Sequence, residues 1–140
     1  MNNYLNLHLA VFALRCVTGI LFLFQGYERG FKIKADEVVN VFQTNFIRRI
    51  LPGSLLKFTV HLSAYIEMIG GLMLIIGFER ELVLYMLSVE MIFVAFAFSL
   101  IRPMWDMQHF FPRFIFLIAL LILPAEWDKF NVDHLIMKYF

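Results

Sequence analysis

Each of three long apolar runs in this chain carries one ionisable residue near its centre. Arg15 lies in residues 5–26, Glu67 in 58–78 and Glu90 in 82–101. A helix of about 20 apolar residues is about 30 Å long, the thickness of a bilayer's hydrocarbon core. A charge at its centre costs about 2.5 to 3.5 kcal/mol on insertion scales, while each Leu, Ile or Phe returns about 0.3 to 0.6. Such runs insert, but their charges must turn inward and find partners. The pattern therefore predicts helices packed around a polar interior, with an apolar exterior against lipid.

Composition agrees. Of the 140 residues, 61% are hydrophobic and 16% charged, and mean hydropathy is +0.77, too apolar for a soluble domain whose outer surface must meet water. The net charge of +1 gives no field for nucleic acid, so nucleic-acid binding is excluded as a function class. Cys16 is the single cysteine, which rules out an intrachain disulfide and dithiol exchange; it reads as a small packed hydrophobe. Electrons for any redox role must come from outside the chain.

The fold class expected is all-α: a polytopic four-helix transmembrane bundle in one domain, residues 1–140. The first run lacks a basic leader and a small-residue cleavage site, so it reads as a retained span. The second and third are separated only by Glu79, Arg80 and Glu81, a tight hairpin. Residues 107–123 form the fourth span, with Asp106 as N-cap, Pro112 as a kink and Pro124 as its end. Between the first two spans, ADEVVNVFQTNFIRRILPG (residues 35–53) reads as an amphipathic interfacial helix. Val38, Val39, Phe42, Phe46 and Ile50 recur at spacings of three and four, and Pro52 and Gly53 stop it.

Four spans put both termini on one side, face B, and the first and third loops on the other, face A. Face A carries Arg29, Lys32, Lys34, Arg48, Arg49, Lys57 and Arg102; face B carries Arg80, Lys129 and Lys138. The positive-inside rule then puts face A in the cytoplasm.

Arg15, Glu67 and Glu90 are expected at one membrane depth. Arg15, Gly19, Phe22 and Gly26 lie on one face of the first helix, and Ser63, Glu67, Gly70, Leu74 and Gly77 form a similar small and polar stripe on the second. Facing these stripes pairs Arg15 with Glu67 as a buried ion pair, with Gly19, Gly26, Gly70, Gly71 and Gly77 as helix-packing positions. Glu90, left without a cation, is expected to be protonated. Glu67 and Glu90 are then the catalytic candidates, able to move protons; the alternative is that the buried charges only fix helix register.

A second constellation lies at the face A rim. His61 opens the second span, Asp106, His109 and Arg113 surround the start of the fourth, and Gln25, Glu28 and Arg29 leave the first. With an aromatic wall of Trp105, Phe110 and Phe111, this set would suit a quinone headgroup, although interfacial anchoring uses the same residue types. No haem spacing or compact metal motif is present, so no built-in cofactor and no metal are expected.

LRCVTGILFLFQGYERGFK, with Arg15, Gly19, Gly26 and Arg29, resembles the first helix of DoxX-like proteins. YIEMIGGLMLIIGFERE, with Glu67, Gly70, Gly71 and Gly77, resembles the family's second-helix signature, and FNVDHL, with Asp133, is similar to the short segment after its fourth helix. Arg29 stands where lysine is commoner, and WDMQHFFPR departs from the simplest members. The resemblance implies a four-helix protein of the bacterial inner membrane associated with redox chemistry. Some relatives look like the membrane subunit of thiosulfate:quinone oxidoreductases. Others are similar to membrane partners of sulfurtransferases and superoxide dismutases, and the wider superfamily includes assembly and export helpers.

Two functions follow as expectations. One is a redox-associated membrane subunit that contacts quinone and works with an external redox protein. The other is a non-enzymatic scaffold or assembly factor that recruits another membrane protein. Membrane lipid surrounds either, and a homo-oligomer is compatible with both.

Overall fold

The computed structural model describes residues 2–32, 52–101 and 107–139. All the regular structure among them is helical. Helix α1 (Asn2–Tyr27) runs on into a π-helical turn (Glu28–Lys32); α2 is Gly53–Ile76, α3 Arg80–Ile101 and α4 Met107–Ile122. A 3-10 turn (Ala125–Trp127) and a short helix α5 (Val132–Tyr139) follow. The expected interfacial helix and Asp106 fall outside the described residues, as do His109's side-chain surroundings.

The polarity of the molecule is inverted relative to a water-soluble bundle. Buried in the interior are Arg15, Thr18, Glu67, Arg80, Glu90, Arg113 and Asp128. The outer faces present Phe24, Ile69, Leu72, Ile92, Phe93, Phe96 and Ile115, with Ile92 at 66% and Phe93 at 69% exposure. An exterior of this kind is satisfied by lipid. Two helical segments, Tyr4–Lys32 and Gly53–Ile76, are long and apolar enough to cross a membrane by length and composition. The apolar core between the charges is formed by Phe22, Leu74, Val83, Leu87, Met91, Leu117 and Leu120.

Helices α1 and α2 touch backbone to backbone. A Cβ on Gly71 would lie 2.5 Å from Leu23 N and 2.6 Å from Gly19 O, and one on Gly26 would lie 2.6 Å from Ala64 O. Only glycine permits this approach. Gly70 instead faces α3, where its Cβ would meet the flexible end of Leu87 at 3.0 Å.

Gly77 does something different from packing: with φ 75° it is the left-handed C-cap of α2, its N–H donating to Met73 O at 2.8 Å.

Two boundaries differ from expectation. Pro52 and Gly53, read as the stop of the interfacial helix, instead open α2, with Pro52 as its N-cap in extended conformation. Proline is tolerated there because the first N–H groups of a helix have no intrahelical acceptor. Helix α3 starts at Arg80, inside the supposed hairpin loop, because Asp133 accepts from Glu79 N at 2.9 Å and Arg80 N at 3.2 Å. A side chain 53 residues away thus caps the helix, which no local pattern announces.

Candidate functional site

The interior charges separate into two clusters, one towards each end of the bundle. Arg15, expected to pair with Glu67, does not reach it. Its Nε lies 2.9 Å from Asp128 Oδ2, NH1 donates to Leu74 O and Ile75 O at 2.6 and 2.9 Å, and NH2 donates to Phe130 O at 2.6 Å. Leu74 and Ile75 are seven and eight residues beyond Glu67, about 11 Å along α2. The expectation of one shared depth is corrected accordingly. Arg15 sits about two helical turns nearer face B, where the carbonyls at the C-terminal end of α2 and the carboxylate of Asp128, just after the 3-10 turn, surround it.

Arg80 completes this lower cluster. Its Nε is 3.7 Å from Asp128 Oδ2, and its NH2 donates to Leu120 O at 2.8 Å and Leu123 O at 3.1 Å. Pro124, four residues after Leu120, has no N–H to offer that carbonyl, so the guanidinium takes its place. The hairpin position of Arg80 suggests a loop charge, and nothing in the residues around Asp128 marks it as interior, yet both are buried. The one available signal was that Arg15 needed a counter-charge.

The upper cluster draws one or more residues from each of four helical elements. Arg113 of α4 donates through NH1 to Glu67 Oε1 at 2.9 Å, and lies with its guanidinium carbon 5.6 Å from the Phe22 ring centre. Arg29, carried by the π turn, is 3.4 Å from the same carboxylate oxygen through NH2. Through NH1 Arg29 donates to Ser63 Oγ at 2.9 Å and lies 3.8 Å from Glu90 Oε1. Ser63 Oγ donates to Glu90 Oε1 at 2.5 Å. π turns inside long helices commonly mark functional positions.

Glu90 therefore has a cation after all, because Arg29 turns inward from the rim. Two guanidinium groups face two carboxylates, so the cluster is neutral with both ionised. Glu90 Oε2 is buried with no hydrogen-bond partner among the described residues. That oxygen can take a proton without displacing an existing bond.

The expected rim constellation is redistributed. Arg29 and Arg113 belong to the internal cluster, and Gln25 is half-buried on α1. His61 is exposed, its Nδ1 3.1 Å from Lys57 O on its own helix. Asp106 is outside the described residues, and nothing is described around the side chain of His109. These groups do not converge on one headgroup cradle among the described residues, and the two arginines best suited to a quinone carbonyl are engaged with carboxylates. Among the described residues, no group of three His, Cys, Asp or Glu is placed to hold a metal ion.

Comparison with protein-family models matches DoxX over residues 10–100, which takes in the α1–α2 contact, Arg15, Glu67 and Glu90. The chain belongs to the DoxX family. The match ends before α4, so Arg113 and Asp128, which complete the two clusters of this DoxX protein, lie beyond it. Comparisons with curated proteins and with solved structures return no match. Family membership and the inverted polarity together make this a helical membrane protein.

Proposed function

We propose that this chain is a membrane-embedded subunit of a redox system, spanning the bilayer as a four-helix bundle in the bacterial inner membrane. Its upper cluster holds and exchanges a proton at Glu90, while a partner protein supplies the electrons. The observation that carries this reading is the open, buried Oε2 of Glu90 beside Glu67, Ser63 and Arg29. A proton gained there leaves Arg29 free to shift its weight towards Glu67, already 3.4 Å away. Movement of one guanidinium between two carboxylates is a short, low-cost way to couple proton uptake to a neighbouring reaction.

Quinone is the acceptor that DoxX membership suggests, but the described rim residues do not form its cradle. Face A, the end at which the π turn carrying Arg29 lies, is the side proposed for the partner and for the cytoplasm.

A second reading, a non-enzymatic scaffold, draws on the lower cluster, where Arg15 meets three carbonyls and one carboxylate and ties the end of α2 to the segment after α4. Native mass spectrometry of the protein extracted gently from its own membranes separates the two. A stoichiometric redox protein or bound quinone is the expected result. A partner without a redox group, and no quinone, would make the scaffold the correct reading.

A further inference from the structure

At the face B end, α3 begins beside the end of α4, and between them lies an open groove of about 200 Å³. Its wall combines Arg80, Glu81 and Tyr85 with Leu84, Leu121 and Ile122. Three properties of this wall point to one class of ligand.

First, the lower cluster has surplus positive charge. Arg15 and Arg80 share Asp128, and no hydrogen bond from Arg80 NH1 is present among the described residues, its NH2 and Nε being turned to Leu120, Leu123 and Asp128. Second, the opposite charge is present on the same wall. Glu81 is exposed, and no hydrogen bond from the described chain reaches the carbonyls of Leu121 and Ile122 at the negative end of α4. Third, the groove opens onto the apolar outer surface, with Tyr85 at 59% and Ile122 at 75% exposure.

We propose that this groove binds a phospholipid whose headgroup carries a primary ammonium. Its phosphate lies against Arg80 NH1, its ammonium is shared between Glu81 and the open carbonyls of α4, and an acyl chain follows Leu84 and Ile122 along the bundle. A quaternary ammonium has no N–H to give those carbonyls, and a glycerol headgroup has no positive charge to give Glu81. The groove therefore selects phosphatidylethanolamine over phosphatidylcholine and phosphatidylglycerol. This rests on α3 and α4 standing in the membrane and is independent of the proposed proton chemistry.

The test is native mass spectrometry of the full chain released from nanodiscs containing the three lipids in equal amounts with identical acyl chains. The expected result is one tightly retained phosphatidylethanolamine, preferred about tenfold over phosphatidylcholine, as one charge-assisted hydrogen bond would give. Glu81→Gln, at an exposed position, is expected to abolish the preference over phosphatidylglycerol, and to leave that over phosphatidylcholine to the α4 carbonyls, without changing the melting temperature in lipid-free detergent. Equal retention of the three lipids would overturn the proposal, as would a preference over phosphatidylglycerol that survives Glu81→Gln.

Discussion

Removing the carboxylate of Asp128 separates the observed pairing from the one its sequence position suggests. Asp128→Asn leaves Arg15 and Arg80 buried, at 0% and 4% exposure, with no carboxylate between them. Breaking one partner of a buried pair costs about 3 to 5 kcal/mol. The 2.9 Å contact to Arg15 carries more of this than the 3.7 Å contact to Arg80. Arg15→Met alone costs a similar amount, since it strips the donors from Leu74, Ile75 and Phe130 carbonyls and leaves Asp128 with only the more distant arginine. The double variant does not lose the pair twice, so a double-mutant cycle should give a coupling of about 1.5 to 3 kcal/mol between positions 15 and 128. Between position 67 and position 15, which bonds α2 about 11 Å further along, coupling should stay within about 0.5 kcal/mol. Reversible unfolding in mixed detergent micelles, followed by circular dichroism, measures both cycles. Coupling of Arg15 to Glu67 and none to Asp128 would refute the two-cluster arrangement.

Other outcomes follow from single contacts. Gly71→Ala forces α1 and α2 apart against backbone atoms and should cost about 1 to 3 kcal/mol; Gly70→Ala meets only the end of Leu87 and should cost less, in the same unfolding assay. Gly77→Ala should be worse than either, because the left-handed conformation and the Arg15 guanidinium both oppose a Cβ there. Asp133→Ala removes the cap from Glu79 N and Arg80 N and should cost about 1 kcal/mol, with faster amide exchange confined to the first turn of α3.

Much of the α1–α2 half was legible from sequence, because span length and apolar content are local properties of the chain. Arg15, Glu67 and Glu90 were recognisable as interior charges for the same reason: hydrocarbon leaves no other place for them. Their partners were not legible. Pairing depends on depth along each helix, and position within an apolar run fixes depth only to about two turns. Arg80 and Asp128 carried no apolar context to flag them, and Asp128 is drawn inside by Arg15 and by the turn after Pro124. Sequence position puts Arg29 and Arg113 at the rim; the inward turn of Arg29 comes from a π turn that no residue pattern in ERGFK specifies. Helix α5, only eight residues long, is held by Asp133 and Asn131 rather than by its own propensity.

Proton exchange at Glu90 is the central claim, and infrared difference spectroscopy of the protein with its partner under turnover tests it most directly. The expected result is a carboxyl C=O band that appears or vanishes with turnover, is absent in Glu90→Gln and persists in Asp128→Asn protein that remains folded. A carboxyl region that stays silent under turnover, or a band unaffected by Glu90→Gln, would contradict it.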